Sequence, residues 1–84
     1  MGRPSSSYFK PAGKRITELE EIILTMPEFE AIRLIDFKEI SQEEASKNMQ
    51  VSQPTLSRIL KSARKKISDS IINGKAIRIN NEKF

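Results

Sequence analysis

Two short stretches of this chain carry apolar residues in patterns that are typical of β-strands. Residues 20–25 (EEIILT) form a brief apolar run rich in β-branched side chains, and its length favours a strand over a helix. Residues 76–80 alternate apolar and polar positions, with Ile77 and Ile79 on one side. Because an isolated two-stranded ribbon is weak, we expect the two strands to pair, within one chain or between two, and to pack against helices.

A first helix is predicted over about residues 26–37, where apolar side chains recur at helical spacing. Thr25 and Glu28 have the spacing of a capping box, and Pro27 suits the first turn, where its missing N–H costs nothing. The apolar residues that recur at this spacing are Phe29, Ile32, Leu34, Ile35 and Phe37.

Two further helices follow. The second is predicted over about residues 42–49, after Ser41 in the capping-box sequence SQEE. The third begins after Ser52, which has the residue type of an N-cap, and carries Pro54 in its first turn. The pair Asn73-Gly74 is expected to end it, since glycine is favoured just beyond a helix.

Residues 41–60, SQEEASKNMQVSQPTLSRIL, have the features of a helix-turn-helix. Ala45 is the small residue needed where the helices cross, and Val51 is the apolar residue needed in the turn. Gln50 stands where many such motifs have a glycine in the left-handed conformation, at a cost of roughly 1 kcal/mol. The apolar anchors expected in the third helix are Leu56, Ile59 and Leu60. An ordinary helical hairpin is the alternative, but the pattern predicts a mainly α fold: a helix-turn-helix three-helix core with two short flanking β-strands.

The third helix has two chemically distinct faces. At 100° per residue, its predicted core stripe consists of Leu56, Ile59, Leu60, Ala63, Ile67 and Ile71. The opposite face carries Pro54, Arg58, Lys61 and Lys65, flanked by Ser57 and Arg64. No acidic residue interrupts this face before Asp69, whereas a face built only for solubility mixes both signs. The pattern therefore favours a face that meets phosphates.

Roles on this face follow from position along the helix, since the N-terminal end of the second helix in this motif enters the major groove. The predicted base contacts are Gln53, Thr55, Ser57 and Arg58. The predicted phosphate contacts are Ser41, Gln42, Ser52, Lys61, Arg64 and Lys65. For Ser41 and Ser52 capping alone is the competing interpretation.

The charges of the chain are unevenly distributed, which supports a polyanionic partner. Of the 84 residues, 15 are Lys or Arg and 11 are Asp or Glu, so the net charge is +4. Residues 1–15 carry four basic residues and no acid, and residues 53–84 carry eight basic residues against two acids. The middle segment, residues 16–52, is acidic. We expect the basic segments to face nucleic acid.

The first fifteen residues are predicted to be a flexible basic N-terminal arm, because they hold two prolines, two glycines and three serines. Residues 16–84 are predicted to be the helix-turn-helix DNA-binding domain. Arg3 in the arm has the residue type that enters minor grooves, although an unbound tail is the simpler interpretation.

Several classes of function are excluded by the absence of cysteine and histidine. Disulfides, thiolate nucleophiles, zinc ribbons and imidazole catalysis are impossible, and no acidic cluster has the spacing of a metal-binding loop. We therefore expect no enzymatic activity, no metal and no cofactor. No signal peptide or membrane-spanning run is visible, so we expect a cytoplasmic protein.

The order of the segments FKPAG, ELEEIILT, PEFEAIRL, SQEEAS, MQVSQPTLSRIL and NGKAIRI resembles a prokaryotic family of uncharacterised, predicted DNA-binding proteins. Its helix-turn-helix is similar to region four of the sigma factors, and the resemblance extends from about Phe9 to Ile79. It implies a helical winged-type or sigma-like DNA-binding domain with a regulatory role. Members of the family often carry cysteines near the N-terminus. This chain has none, and it has Gln50 in place of the usual turn glycine.

Two main functions compete at this point. The first is sequence-specific binding of double-stranded DNA, as a transcriptional regulator and a homodimer, because one helix-turn-helix reads only a few base pairs. The second is a protein-interaction or assembly module that keeps a sigma-like shape and contacts the transcription machinery. RNA binding is weaker because aromatic residues are few.

Overall fold

The computed structural model describes residues 8–9 and 20–80, which form a mainly helical fold with short strands at its edge. The elements, in chain order, are β1 (Tyr8–Phe9), β2 (Glu21–Leu24), α1 (Met26–Ala31), a π-helical segment (Ile32–Phe37), α2 (Gln42–Met49), α3 (Gln53–Asn73) and β3 (Ala76–Ile79). The predicted class, a three-helix helix-turn-helix core with flanking strands, is confirmed, and β1 is a strand that was not predicted.

The first helix begins with a complete capping box. Thr25 Oγ1 accepts a hydrogen bond from the backbone N–H of Glu28 at 3.3 Å, and the Thr25 N–H donates to Glu28 Oε1 at 2.9 Å. Pro27 lies in the first turn, as predicted. Two of the N–H groups that have no partner inside the helix are thereby accounted for.

The other two helices begin at serines and end in left-handed residues. The side-chain oxygens of Ser41 and Ser52 each accept the backbone N–H three residues further on, at 3.0 and 3.2 Å. Of the capping box predicted at Ser41, only the serine half is formed. Gln50 ends α2 with φ 59°, and Gly74 ends α3 with φ 67°. Both predicted endings are therefore confirmed, and a non-glycine residue accepts the left-handed turn at residue 50.

The predicted first helix changes its hydrogen bonding halfway along. Over Ile32–Phe37 the bonds reach five residues back, and Lys38 N–H continues this pattern by donating to the carbonyl of Arg33 at 2.9 Å. The wider turn rotates the last residues away from their expected directions. Phe37, the last of the apolar residues that recur at helical spacing, is 81% exposed, and Asp36 also lies at the surface.

The strands form one three-stranded sheet in the order β1-β3-β2. β2 runs parallel to β3, with Ile22 opposite Ile77, and β1 runs antiparallel to it, with Phe9 also opposite Ile77. The predicted pairing of the two flanking strands thus occurs within one chain. The prediction of an arm over residues 1–15 lies outside the described residues except at Tyr8–Phe9, which form β1, and Arg3 lies outside them altogether.

The core is organised around one side of α3. Leu56 and Leu60 pack with Ala31, Leu34 and Ala45, while Ala63 packs against the sheet with Leu24 and Ile77. Ala45 is fully buried, which confirms the predicted close crossing of α2 and α3.

The last turns of α3 correct one prediction about the core stripe. Ile71, predicted to be buried, is 67% exposed, and Ser70 is buried in its place. The chain turns back beside Ser70, whose hydroxyl donates to the carbonyl of Lys75. Because this reversal covers the side of the helix on which Ser70 lies, Ile71 faces outward.

Candidate nucleic-acid interface

The turn between α2 and α3 brings the two helices into contact without glycine. The N–H groups of Gln50 and Val51 donate to the carbonyls of Lys47 and Ser46, at 3.2 and 3.0 Å. Val51 is half-buried against the cluster that contains Ala45. These contacts fix the angle at which α3 leaves α2, and they expose the N-terminal turns of α3 on the surface.

The ten residues predicted to contact DNA lie on two neighbouring helix starts and along one face of α3. Ser41 and Gln42 are exposed at the start of α2, and Ser52 and Gln53 at the start of α3. Further along α3, the exposed members are Ser57, Arg58, Lys61, Arg64 and Lys65. Thr55 is the exception, because it is half-buried.

Hydroxyl groups at the start of α3 are already engaged within the chain. Ser52 Oγ donates to Thr55 Oγ1 at 2.9 Å, in addition to accepting the helix N–H. Thr55 Oγ1 also accepts from Arg58 Nη2, at 3.4 Å. The structure therefore gives Thr55 a role in orienting Arg58, while the capping role of Ser52 is shown directly. Contact of these residues with bases or phosphates stays a prediction.

The cations of this face differ in their surroundings. Within the part of the chain that the structure describes, Arg58, Lys61 and Lys65 have no acidic partner within 4.0 Å. Arg64, by contrast, forms a two-pronged ion pair with Asp36, at 2.6 Å from Nη2 and 3.1 Å from Nε. The local sequence does not indicate this pair, because 28 residues separate its members.

The ion pair between Arg64 and Asp36 stabilises the charged form of each partner. Hydrogen bonds from Arg64 lower the pKa of Asp36, against a smaller opposite effect of burial, and Coulombic attraction adds to the lowering. The hydrogen bond to Asp36 likewise raises the pKa of Arg64. Both side chains are partly exposed, at 53% for Arg64 and 38% for Asp36, so solvent can reach the pair.

A second polar network, also missed from the sequence, attaches α1 to α3. Glu28, whose only visible role was capping, is 7% exposed and accepts hydrogen bonds from Ser62 Oγ and from Lys66 Nζ at 2.8 Å. Lys66 Nζ also donates to the carbonyl of Ile23 in β2, at 2.7 Å. Burial raises the pKa of Glu28, but the bonds from Lys66, Ser62 and the Thr25 backbone outweigh it and lower the pKa overall. The network holds α3 against α1 and the sheet.

Away from the basic face, the surface has an open groove of about 590 Å³ between α1, the end of α2 and the core side of α3. Its apolar lining includes Met26, Pro27, Met49, Val51 and Ile59. The groove also has charged walls, contributed in part by Glu30, Arg33 and Lys38. Three large apolar side chains are strongly exposed elsewhere on the described surface: Phe37, Ile71 and Ile72.

No group of three or more acidic residues in the described ranges is placed to hold a metal ion. Over the same ranges, no helix combines the length and the apolar character needed to cross a membrane.

The chain is similar over most of its length to proteins of several bacteria. A UPF0251 protein of Caldanaerobacter subterraneus subsp. tengcongensis is 54% identical over 76 residues, which cover 90% of this chain and 64% of that protein. UPF0251 proteins of Thermoanaerobacter pseudethanolicus and Moorella thermoacetica are 50% and 51% identical, again over 90% of this chain and over 64% and 51% of their own lengths. This chain thus spans less than two thirds of each of these three relatives.

No solved structure matches the chain significantly. The family described as "Protein of unknown function DUF134", in contrast, matches residues 1–84. The resemblance inferred from the sequence is therefore confirmed at the level of an uncharacterised prokaryotic family, and the chain belongs to the DUF134 (UPF0251) family.

Proposed function

We propose that this protein binds double-stranded DNA with sequence preference through α2 and α3, and acts as a cytoplasmic transcriptional regulator. The observation that carries the proposal is the exposed face of α3, on which Arg58, Lys61 and Lys65 have no acidic group within 4.0 Å among the described residues, although Asp69 attracts Lys65 from further away. Unpaired cations along one helix face can replace the counterions of a DNA backbone, whereas paired cations are already neutralised.

In this proposal the first turns of α3 enter the major groove. Gln53 and Arg58 have the side-chain types that pair in two-pronged fashion with adenine and guanine, and both are exposed there. Lys61 and Lys65 lie further along the helix and contact phosphates. The start of α2 rests against the backbone, with Ser41 and Gln42 at its exposed end.

We further propose that the protein acts as a homodimer, because a single helix-turn-helix covers only a few base pairs. The central strand β3 has a neighbour from its own chain on each side. A dimer formed through the sheet must therefore use the outer edge of β1 or β2. Sedimentation at tens of micromolar tests this part of the proposal: a dimeric mass supports it, and a monomeric mass contradicts it.

The test of DNA binding is a fluorescence-anisotropy titration with a pool of random duplexes at two salt concentrations, followed by sequencing of the bound fraction. Salt-dependent binding that enriches one palindromic sequence is the expected result. Salt-dependent binding without enrichment would retain DNA binding but remove sequence readout. No binding at low salt would contradict the proposal.

The alternative function is that of a protein-interaction module with the same fold. The exposed apolar surface of the protein favours this alternative. α3 exposes Ile71 and Ile72 at its far end, and the groove beside α1 has an apolar lining. Apolar exposure of this kind marks many interaction sites. If the duplex titration fails while a Met49→Glu substitution in the groove abolishes co-purification with RNA polymerase, this alternative replaces DNA binding.

A further inference from the structure

One acidic side chain interrupts the basic face of α3 in the folded protein although none does so in the local sequence. Asp36, at the end of the π-helical segment, holds Arg64 through two hydrogen bonds of 2.6 and 3.1 Å. Lys61 lies one turn before Arg64 on α3, and Lys65 follows it directly. Arg64 therefore flanks the basic row beside Lys61 and Lys65, and it is the predicted DNA-contacting cation whose charge is neutralised.

The chemistry of the pair resembles that of a protein–DNA contact. A guanidinium presents two parallel N–H donors, and this fork fits the two oxygens of a carboxylate or of a phosphate equally well. Both side chains are partly exposed, so a phosphate can approach Arg64 without unfolding any element. Exposed ion pairs are also weak enough to be exchanged, since solvent screens them.

We propose that in the free protein the Asp36 carboxylate binds the Arg64 guanidinium in the way that a DNA phosphate would. Binding to DNA then exchanges the carboxylate for a phosphate. This inference rests on the proposed DNA binding. The consequence is that Arg64 adds little to the attraction for an arbitrary duplex, because each new phosphate contact must first displace Asp36. Asp36 thus lowers non-specific affinity without touching DNA.

The test is a double-mutant cycle on binding to a random-sequence duplex. It compares the wild type, Asp36→Asn, Arg64→Ala and the double variant by fluorescence anisotropy at two salt concentrations. Glu39→Gln is the matched control, because Glu39 is exposed three residues after Asp36 and its substitution changes the net charge equally. Circular dichroism melting establishes that each variant is folded, and Arg64→Gln, which removes the charge but keeps a long polar side chain, substitutes for Arg64→Ala if that variant is unstable.

Asp36→Asn is expected to tighten binding up to about fivefold, which corresponds to the ~1 kcal/mol upper value for an exposed ion pair at 1.4 kcal/mol per tenfold change. In the Arg64→Ala background the gain is expected to shrink to that of Glu39→Gln. Arg64→Ala is expected to change the binding of the wild type little, whereas in the Asp36→Asn background it is expected to lower the salt slope by about one.

An equal gain from Asp36→Asn in both backgrounds would overturn the inference, because the effect would then be general charge repulsion. An affinity and salt slope of the Asp36→Asn variant that Arg64→Ala leaves unchanged would overturn it as well, and the pair would then have a structural role only. Both results leave DNA binding standing. A wild-type protein that binds no duplex at low salt would instead refute the proposed function, and this inference with it.

Discussion

Replacing Glu28 by glutamine should weaken the attachment of α3 to α1. The Glu28 carboxylate accepts bonds from the Thr25 N–H, Ser62 Oγ and Lys66 Nζ, and its side chain is only 9% exposed. Glutamine keeps the shape but turns one acceptor into a donor, which then faces the Lys66 ammonium or the Ser62 hydroxyl. Removing one partner of a fully buried ion pair costs about 3–5 kcal/mol. Because Lys66 is 31% exposed and can be hydrated, we expect a loss of about 2 kcal/mol.

This loss is large relative to the total stability, which for 84 residues is on the order of 4–13 kcal/mol. Urea unfolding followed by circular dichroism in the helical band measures it. Lys66→Met completes a double-mutant cycle, since it removes the ammonium and retains an apolar stem. A coupling energy of about 1 kcal/mol is expected, and a value below about 0.3 kcal/mol would refute the claim that the two side chains stabilise each other.

The same network predicts that the free energy of unfolding depends on pH. The pKa of Glu28 is lowered in the folded protein relative to 4.5, so the unfolded chain takes up the proton first as the pH falls. The contribution of the ionised Glu28 to the free energy of unfolding is complete above pH 4.5. It disappears as the pH drops through the lower pKa that Glu28 has in the folded protein. The stability difference between wild type and Glu28→Gln should therefore be constant near neutral pH and shrink below pH 4.5. A difference that stays constant throughout that acid range would contradict the assignment.

Three further predictions concern the proposed interface. Arg58→Ala should relax base preference at one position and cost roughly 1–3 kcal/mol of specific binding, measured by anisotropy with the selected duplex and its single-base variants. Lys65→Ala should weaken all duplexes alike and flatten the salt slope by about one; if both substitutions leave binding intact, the assigned face is wrong. Gln50→Gly should raise the free energy of unfolding by up to about 1 kcal/mol, because glycine adopts the left-handed conformation at φ 59° without steric cost. Urea unfolding measures this change, and an unchanged or lower free energy would show that the turn is unstrained.

The position of the helix-turn-helix was readable from the sequence because its determinants are local. Ser41 and Ser52 begin their helices through bonds to residues only three positions away. The apolar period of α3 likewise identified Leu56 and Leu60 as buried. The same method was wrong at Ile71, and it gave no indication that Phe37 is exposed. Phe37 depends on a change to π-helical bonding, and Ile71 on the path of the chain after Gly74, neither of which a fixed helical period contains.

The sequence by itself determined the order of β2, the three helices and β3, the cap residues, the crossing at Ala45 and the basic row on α3, since each follows from the spacing of residues within one or two turns. Only the tertiary structure decided that β2 and β3 run parallel, and that Asp36 reaches Arg64. These partners are brought together by the packing of the whole core, because 28 residues separate Asp36 from Arg64 and four helical segments lie between the two strands. The spacing of residues within one helix does not indicate which charged side chains from distant segments come into contact. The row of cations on α3 was therefore predictable, but the neutralisation of Arg64 was not.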